Sequence, residues 1–417
     1  MKRTAAFLAA PLCLALVLAG CSAADPETSD GRVHLTFWHG YTESDGDVLN
    51  QLVEDFNASQ DDVVVSTEVN PWDVIDDTVL PALSAGSGPE IVAMPAERLP
   101  VYADRRALVN LDDFYADEPA TADVQPGALD MVTTGDGTYG VPTGFVPLTM
   151  FYNKTLFAEA GVEVPRTWDE WVAAAKKLTV DSDGDGTPEQ YGLALADHAT
   201  VGNGVWPTLF YGNGGDIVED GTAVIDSPQN AETLRFWHDA IAADSISPTG
   251  LDGVKGDSLF ASGRVGMYVG GPWMASVAEE NDVDYGIAPV PAGPDEQAAS
   301  AIGVAMALTV QADDEQRAAA QEFFSYFLAH EQAVTWSLGS GWPPLRTDVG
   351  PDEVASNPVV AALTTQAPLA RPLLPGVVNN ADVLEEVDKL TQRAMAGQPV
   401  DGLLAEAQRE IQVELDE

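Results

Sequence analysis

The sequence predicts an α/β fold with enough chain for two domains or one large bilobed one, on three observations. First, Val33, Leu35 and Phe37 alternate with His34, Thr36 and Trp38, the period of two that marks a half-buried strand. A helical spacing follows at Val48, Leu49, Leu52, Val53 and Phe56, then a second strand at Val63–Val69. Second, this strand–helix–strand rhythm, which signals parallel pairing, recurs after Tyr139. Third, residues 32–417 carry a normal share of apolar side chains, 45% over the chain, enough for more than one core.

The remaining elements follow in order. Ser44 and Asp47 are placed as a capping box for the first helix, and Ser84–Met94 reads as a Gly-rich turn and a third short strand. Thr138–Asn153 is extended, punctuated by Pro142 and Pro147, and a helix over Lys154–Ala160 stops at Gly161. Thr167 and Glu170 form a capping box for Trp168–Leu178, and Ser227-Pro228 opens a helix to about Ala243. Gly263–Met274 is a strand that delivers Gly270 and Gly271 to a helix start. Asp284–Pro294 is Pro-rich and extended, Ala301–Thr309 returns to strand, and helices fill Asp313–His330 and the stretch from Ala381 onward.

The first twenty-one residues carry a separate message. Lys2 and Arg3 precede an apolar run, Ala5–Val17, too short to span a bilayer, and then Leu18-Ala19-Gly20-Cys21. This is a signal peptide over 1–20. The LAGC sequence matches the bacterial lipobox, in which the Cys thiol receives diacylglycerol, so Cys21 is the expected lipidation site and 21–32 a flexible tether. The mature chain is then exported and held to the outer face of the cytoplasmic membrane through this anchor only.

Without Lys2 and Arg3 the chain has 17 basic side chains against 66 acidic ones. That balance excludes nucleic acid, whose phosphates require clustered cations, and suits a solvated acidic surface. The two cysteines are Cys13 and Cys21, so the folded body has no thiol and forms no disulfide; its stability must come from burial.

The catalytic inventory is thin. There is no G-x-S-x-G elbow, and His330-Glu331 begins an H-E-x-x-H zinc motif that Val334 breaks. Gly202–Trp206 and Gly212–Asp216 match neither a P-loop nor a dinucleotide fingerprint. More informative are the aromatics. Trp38, His39 and Tyr41 follow the first strand, Trp72 with Asp73 follows the second, and Phe145 lies in the Pro-punctuated crossover. Trp206 and Tyr211 lie among glycines, Trp273 follows Gly270-Gly271-Pro272, and Trp342 sits in GSGWPPLR. Strand ends are where open α/β sheets bind ligands. Sugar rings present flat C–H faces to such rings while a few polar groups fix the hydroxyls. For any single ring, core packing is the competing reading, and Trp168, Trp171 and Trp237, inside helices, are read as core.

One loop, DSDGDGTPEQYG (Asp181–Gly192), has Asp at positions 1, 3 and 5 and Gly at 6, as a calcium loop requires. Asp181, Asp183, Asp185, the Thr187 carbonyl and Glu189 are its candidate ligands, for a structural calcium. Position 12 is Gly192 instead of the bidentate Glu, and a plain Asp/Gly-rich turn is the competing reading.

The ordered set FWHGYTESD, AGSGPEIV, YGVPTGFVPLTMFYNK, TWDEWVAAAKKL, GRVGMYVGGPW and GWPPLRTDV resembles the extracellular solute-binding lipoproteins of carbohydrate ABC importers, of the maltodextrin and multiple-sugar type. The likeness covers essentially all of residues 33–417. It implies a two-lobed periplasmic-binding-protein type II-like fold, each lobe a mostly parallel sheet flanked by helices, joined by hinge crossovers. Lobe one would take 33–143 plus 298–346 and lobe two 148–285 plus 347–417, with hinges near 144–148, 285–291 and 347. The matching cleft positions are Trp38, His39, Tyr41, Glu43, Trp72, Asp73, Phe145, Trp206, Gly271, Trp273, Trp342 and Arg346.

The expected function is therefore capture of a neutral carbohydrate, an oligosaccharide, by a monomer that hands it to importer permease subunits, with no catalytic residue and no required cofactor. Two alternatives stand beside it. The same architecture could bind a glycerol-phosphate-type anion, with Arg346 and then Arg264 or Arg371 as its candidate cations, or a polyol. The other is a secreted carbohydrate-active hydrolase, which needs an acid pair across the cleft.

Overall fold

The computed structural model describes residues 31–41, 44–135, 137–197 and 204–416. Cys21, the tether to residue 30 and Glu43 lie outside these residues, as do the side chains of Ser44 and Asp73.

Ten strands build the two main sheets: β1 (Val33–His39), β2 (Val63–Val69), β3 (Ile91–Pro95), β4 (Val141–Pro147), β5 (Thr149–Asn153), β6 (Tyr191–Ala194), β7 (Val265–Gly270), β8 (Tyr285–Pro289), β9 (Ala299–Leu308) and β10 (Ala370–Pro372). The first sheet runs β10-β9-β3-β1-β2, with β4 also paired to β9; the second runs β8-β5-β7-β6. Pairing is parallel between β1 and both β2 and β3, as the strand–helix–strand rhythm predicts. It is antiparallel for β9 against β3 and β4, and for β5 against β7 and β8, all pairs that involve a strand carrying the chain between sheets. A crossover strand enters its sheet from the far lobe, so it need not share the direction of the βαβ strands.

Each sheet has its own core. Around the first pack Leu35, Phe37, Ile91 and Met94 with Phe323, Phe324 and Trp336 from the C-terminal half of the chain. Around the second pack Met150, Leu193 and Met267 with Trp171 and Trp237, whose rings meet edge to face at 5.0 Å. The last two helices, Asn380–Met395 and Val400–Asp416, close this second core through Val383, Val387, Leu390 and Ile411.

The chain passes between the sheets at Leu148, from β4 to β5, and again between β8 and β9. Thr347, expected near a hinge, is instead tied to the first lobe: its N–H donates to the Asp123 carbonyl at 2.7 Å, beside the Val124–Arg346 bridge. The C-terminal stretch, assigned above to lobe two, also returns once to the first sheet as β10, pairing in parallel with Ala299–Ala301 of β9.

Local signals set most helix ends. The helix Lys154–Ala160 starts at Asn153, whose Oδ1 accepts the Leu156 N–H at 3.1 Å, and stops at Gly161 in the left-handed region. Thr167 caps Trp168–Leu178, but Glu170 reaches the N–H of Arg166 at 2.8 Å, one residue before the position a capping box uses. The helix expected over Asp313–His330 runs Asp314–Leu328 and ends where Ala329 turns extended at ψ 150°; a second helix, His330–Ser340, follows it.

Candidate functional site

A cavity of about 350 Å³ lies between elements of the two lobes. From the first lobe it is lined by Asp45 in the helix Ser44–Ser59 and by Gly339–Trp342 at the end of His330–Ser340. From the second it is lined by Trp273, Ser276 and Glu279 on the helix Trp273–Glu280. Asn357 and Val359 complete the wall. A larger depression of about 560 Å³, bounded by Asp104, Asp220 and Leu374–Asn379, has no aromatic ring in its lining, so it offers no face for a sugar ring.

Two indoles from opposite lobes therefore share one cavity. Trp273 is 37% exposed, the one large aromatic among the exposed apolar side chains of the described residues. Its ring lies over Gly271, where a Cβ would come within 2.0 Å of Cζ3. Trp342 is half-buried and lies over Gly144 of β4, where a Cβ would come within 2.6 Å of Cε3. Among the described residues the cavity lining contains no Lys or Arg; its charged groups are Asp45 and Glu279. The Asp45 Oδ1 accepts the Gly46 N–H at 2.8 Å, and Glu279 accepts the Tyr285 hydroxyl at 3.0 Å.

Among the described residues, Trp38, His39, Tyr41, Trp72, Phe145, Trp206 and Arg346 are not in the lining of this cavity. Tyr41 is buried, its hydroxyl 2.7 Å from the Thr143 Oγ1 and its ring edge to face with Trp72 and Trp336. Burial pushes its phenol well above the ordinary range. His39 is fully buried between Phe37 and Tyr41, and among the described residues neither ring nitrogen has a hydrogen-bond partner. Burial pushes its pKa down to about 4, with the Tyr41 backbone offsetting this in part. Phe145 packs into the first core and Trp206 into the second, where its Nε1 donates to the Ala196 carbonyl at 2.8 Å. Trp38 packs partly buried against the first core, and Trp72 lies over Gly40. An aromatic at a strand end turns inward when its neighbours leave an apolar gap beneath it, and here most of them do.

Arg346 is a correction of chemical consequence. Its side chain is only 7% exposed. Nε donates to Asp348 Oδ1 at 2.7 Å, and Nη1 donates to the carbonyls of Ala120 and Leu328 at 2.9 and 2.8 Å. Nη2 donates to Asp123 and Asp348 at 3.0 and 2.8 Å. All five guanidinium N–H groups are thus used internally, and none is left for a ligand. Arg371 is likewise occupied, paired with Glu296 and placed over the Tyr211 ring at 5.2 Å. His330, the start of the broken zinc motif, lies between Glu353 at 2.8 Å and Asp348 at 3.2 Å, which raise its pKa.

In the Asp-rich loop, carboxylate oxygens of Asp181, Asp183 and Glu189 lie within 4.8 Å of one another. The Asp185 carboxylate is not in that group; its Oδ1 accepts the Thr187 N–H at 2.8 Å. Asp181 accepts from Gly184 and Gly186, and Glu189 accepts from Ser182, which holds its carboxyl below the usual range.

Sequence reading missed Ser276, Glu279, Ser340 and Asn357. Ser276 and Glu279 follow Trp273 at intervals of three, one face of a helix, so that spacing was available. Asn357-Pro358 is a helix-start signal, and Asn357 Oδ1 accepts the N–H groups of Val359 and Val360.

Two lobes, each with its own sheet and core, enclosing a cavity with one aromatic wall from each, define a two-lobed binding protein. Residues 51–362 match the family model of bacterial extracellular solute-binding proteins, and the chain belongs to that family. A binding protein of Brucella abortus is 25% identical over 91% of this chain and 90% of its own length. The maltotriose-binding protein of Pyrococcus abyssi is 24% identical over 81% of this chain and 71% of its own. The crystal structure of a cyclic α-maltosyl-1,6-maltose binding protein from Arthrobacter globiformis superposes with a TM-score of 0.81, 28% identity, and coverage of 92% of this chain and 99% of that one. The fold is the periplasmic-binding-protein type that these proteins share.

Proposed function

We propose that this protein captures a neutral oligosaccharide, of α-linked glucose units, between its lobes and hands it to an ABC importer, making and breaking no covalent bond. The observation that carries this reading is the pair of indoles, Trp273 and Trp342, lining one cavity from opposite lobes with no Lys or Arg in its lining among the described residues. Ring faces of that kind pack against sugar C–H groups, and carboxylates such as Asp45 and Glu279 accept hydrogen bonds from hydroxyls. A phosphate would need a cation; the guanidinium of Arg346 is consumed internally, and Arg371, half-exposed and paired with Glu296, is not in the cavity lining. Names of relatives support the sugar class: maltotriose for the Pyrococcus protein and cyclic maltosyl-maltose for the Arthrobacter one. Both rings meeting one guest favours the closed arrangement of the lobes, which is how binding shifts the population.

Calorimetry against maltotriose, galacto- and arabino-oligosaccharides and glycerol 3-phosphate tests the reading. Binding of at least one oligosaccharide and none of the phosphate is expected; silence across the sugars would refute it. Trp273→Ala and Trp342→Ala are each expected to weaken the bound sugar by about tenfold, or about 1.4 kcal/mol.

The same proposal places the protein at the outer face of the membrane through a lipid on Cys21, supported by Leu18-Ala19-Gly20-Cys21 after a short apolar run. Cys21→Ala is expected to move the protein from the membrane fraction to the medium. Unchanged membrane association in that variant would count against the anchor.

A further inference from the structure

Two side-chain-free positions lie directly beneath the two cavity indoles, and both are far apart in sequence from the ring they carry or are separated from it by a single residue. Gly144 belongs to β4, the strand that carries the chain out of the first sheet, and Trp342 follows the helix His330–Ser340. Gly271 ends the passage from β7 into the helix that begins at Trp273. In neither glycine is φ in the left-handed region, so backbone conformation does not demand glycine there. What demands it is space: an added Cβ would fall 2.6 Å from the Trp342 ring and 2.0 Å from the Trp273 ring, well inside van der Waals contact, and a planar bicyclic ring cannot yield as a flexible chain does.

We propose that Gly144 and Gly271 are positioning residues that seat Trp342 and Trp273 flat on the backbone, fixing one rigid ligand-facing wall on each lobe. A ring held on one face by backbone has little rotamer freedom left to lose when sugar packs on the other, which lowers the ordering cost of binding. The seat beneath Trp342 is also part of a strand crossing between lobes. The register of β4 against β9 shifts between Val304, opposite Gly144, and Ala305, opposite Pro142, and this irregularity presents the bare Gly144 backbone to the indole. Behind Trp273 stands Asp257, whose Oδ1 is buried with no hydrogen-bond partner among the described residues. Burial raises its pKa, and the Tyr268 and Trp273 side chains draw it back down.

The proposal rests on the sugar-capture reading only for its ligand, so the test has one arm without any ligand. The protein is labelled with 5-fluorotryptophan, and the Trp273 resonance is assigned by its loss in Trp273→Phe. Gly271→Ala is expected to shift or broaden that resonance in the ligand-free protein while the signals of Trp171 and Trp237 stay in place. In the second arm, maltotriose affinity is expected to fall about tenfold in Gly271→Ala, and by less than twofold when the same change is made in Trp273→Ala. Gly144→Ala is expected to behave in the same way toward Trp342→Ala. An unmoved Trp273 resonance overturns the proposal, and so does an affinity loss of equal size in both backgrounds. Should Gly271→Ala fail to fold, recovery of folding in Gly271→Ala/Trp273→Ala supports the steric seat, and failure of that double variant overturns it. If maltotriose does not bind the unmodified protein, the sugar reading fails while the fluorine arm still decides the seat.

Discussion

Arg346→Ala is expected to destabilise the first lobe by about 2–3 kcal/mol, the range for losing charge-assisted hydrogen bonds and stranding their acceptors. The guanidinium is buried but its carboxylate partners are half-exposed. The side chain joins three segments: the Ala120–Asp123 stretch, the end of the helix Asp314–Leu328, and Asp348. Its removal strands the Ala120 and Leu328 carbonyls and leaves Asp348 without the partner that holds its carboxyl down at about 2. Arg346→Lys is expected to recover little, because an ammonium cannot reproduce the planar five-donor fork. Urea unfolding of both variants provides the check, and a loss below about 1 kcal/mol would show that the clasp is dispensable. Weakened sugar binding in Arg346→Ala would follow from a loosened lobe and would not mark the guanidinium as a ligand contact.

Acidification through the range from pH 6.5 to 4 is expected to cost stability through His39. Its folded-state pKa, about 4, lies below the ordinary 6.5 because burial disfavours the charged ring. Below pH 6.5 the unfolded chain takes up a proton that the folded protein refuses, so stability is intact above pH 6.5, falls toward pH 4 and levels off beneath it. A displacement of this size corresponds to about 3 kcal/mol. Carboxylates titrate in the same range, so the quantity to measure is the difference between the unmodified protein and His39→Leu as unfolding free energy against pH. A difference that grows as pH falls from 6.5 to 4 is expected; a flat one would show that the imidazole is not held neutral. The apolar replacement is tolerable there because the ring packs between Phe37 and Tyr41.

Much of the architecture was legible in the sequence because its signals are local. The first and second strands follow directly from alternation at 33–38 and 63–69, and the helix Lys154–Ala160 from Asn153 and Gly161. The end of the helix Asp314–Leu328 was legible to within two residues, whereas the separate helix His330–Ser340 beyond Ala329 carried no start signal of its own, since Ala329 offers no side-chain cap. For the site, Trp273, Gly271 and Trp342 carried the useful signal, a ring or bare backbone among Gly and Pro at an element boundary. Tyr41, Phe145 and Trp206 carried the same local signal yet lie in the cores, because the direction of a ring at a strand end depends on distant packing partners such as Trp336 and Ala196. Arg346 misled for a similar reason: its five acceptors come from segments up to 226 residues away in sequence.

The order in which the two cores gain their last residues has a consequence during biosynthesis. Among the described residues the last buried member of the first core is Leu345, with Ala370 of β10 added at its edge, whereas the second waits for Leu403, Leu404 and Ile411 near the end of the chain. A growing polypeptide therefore carries the faces that will bury Trp171, Trp237 and Leu193 incomplete for most of its elongation. Truncation before the final helix would leave that apolar surface permanently bare, so premature termination should yield aggregates instead of a half-sized functional fragment.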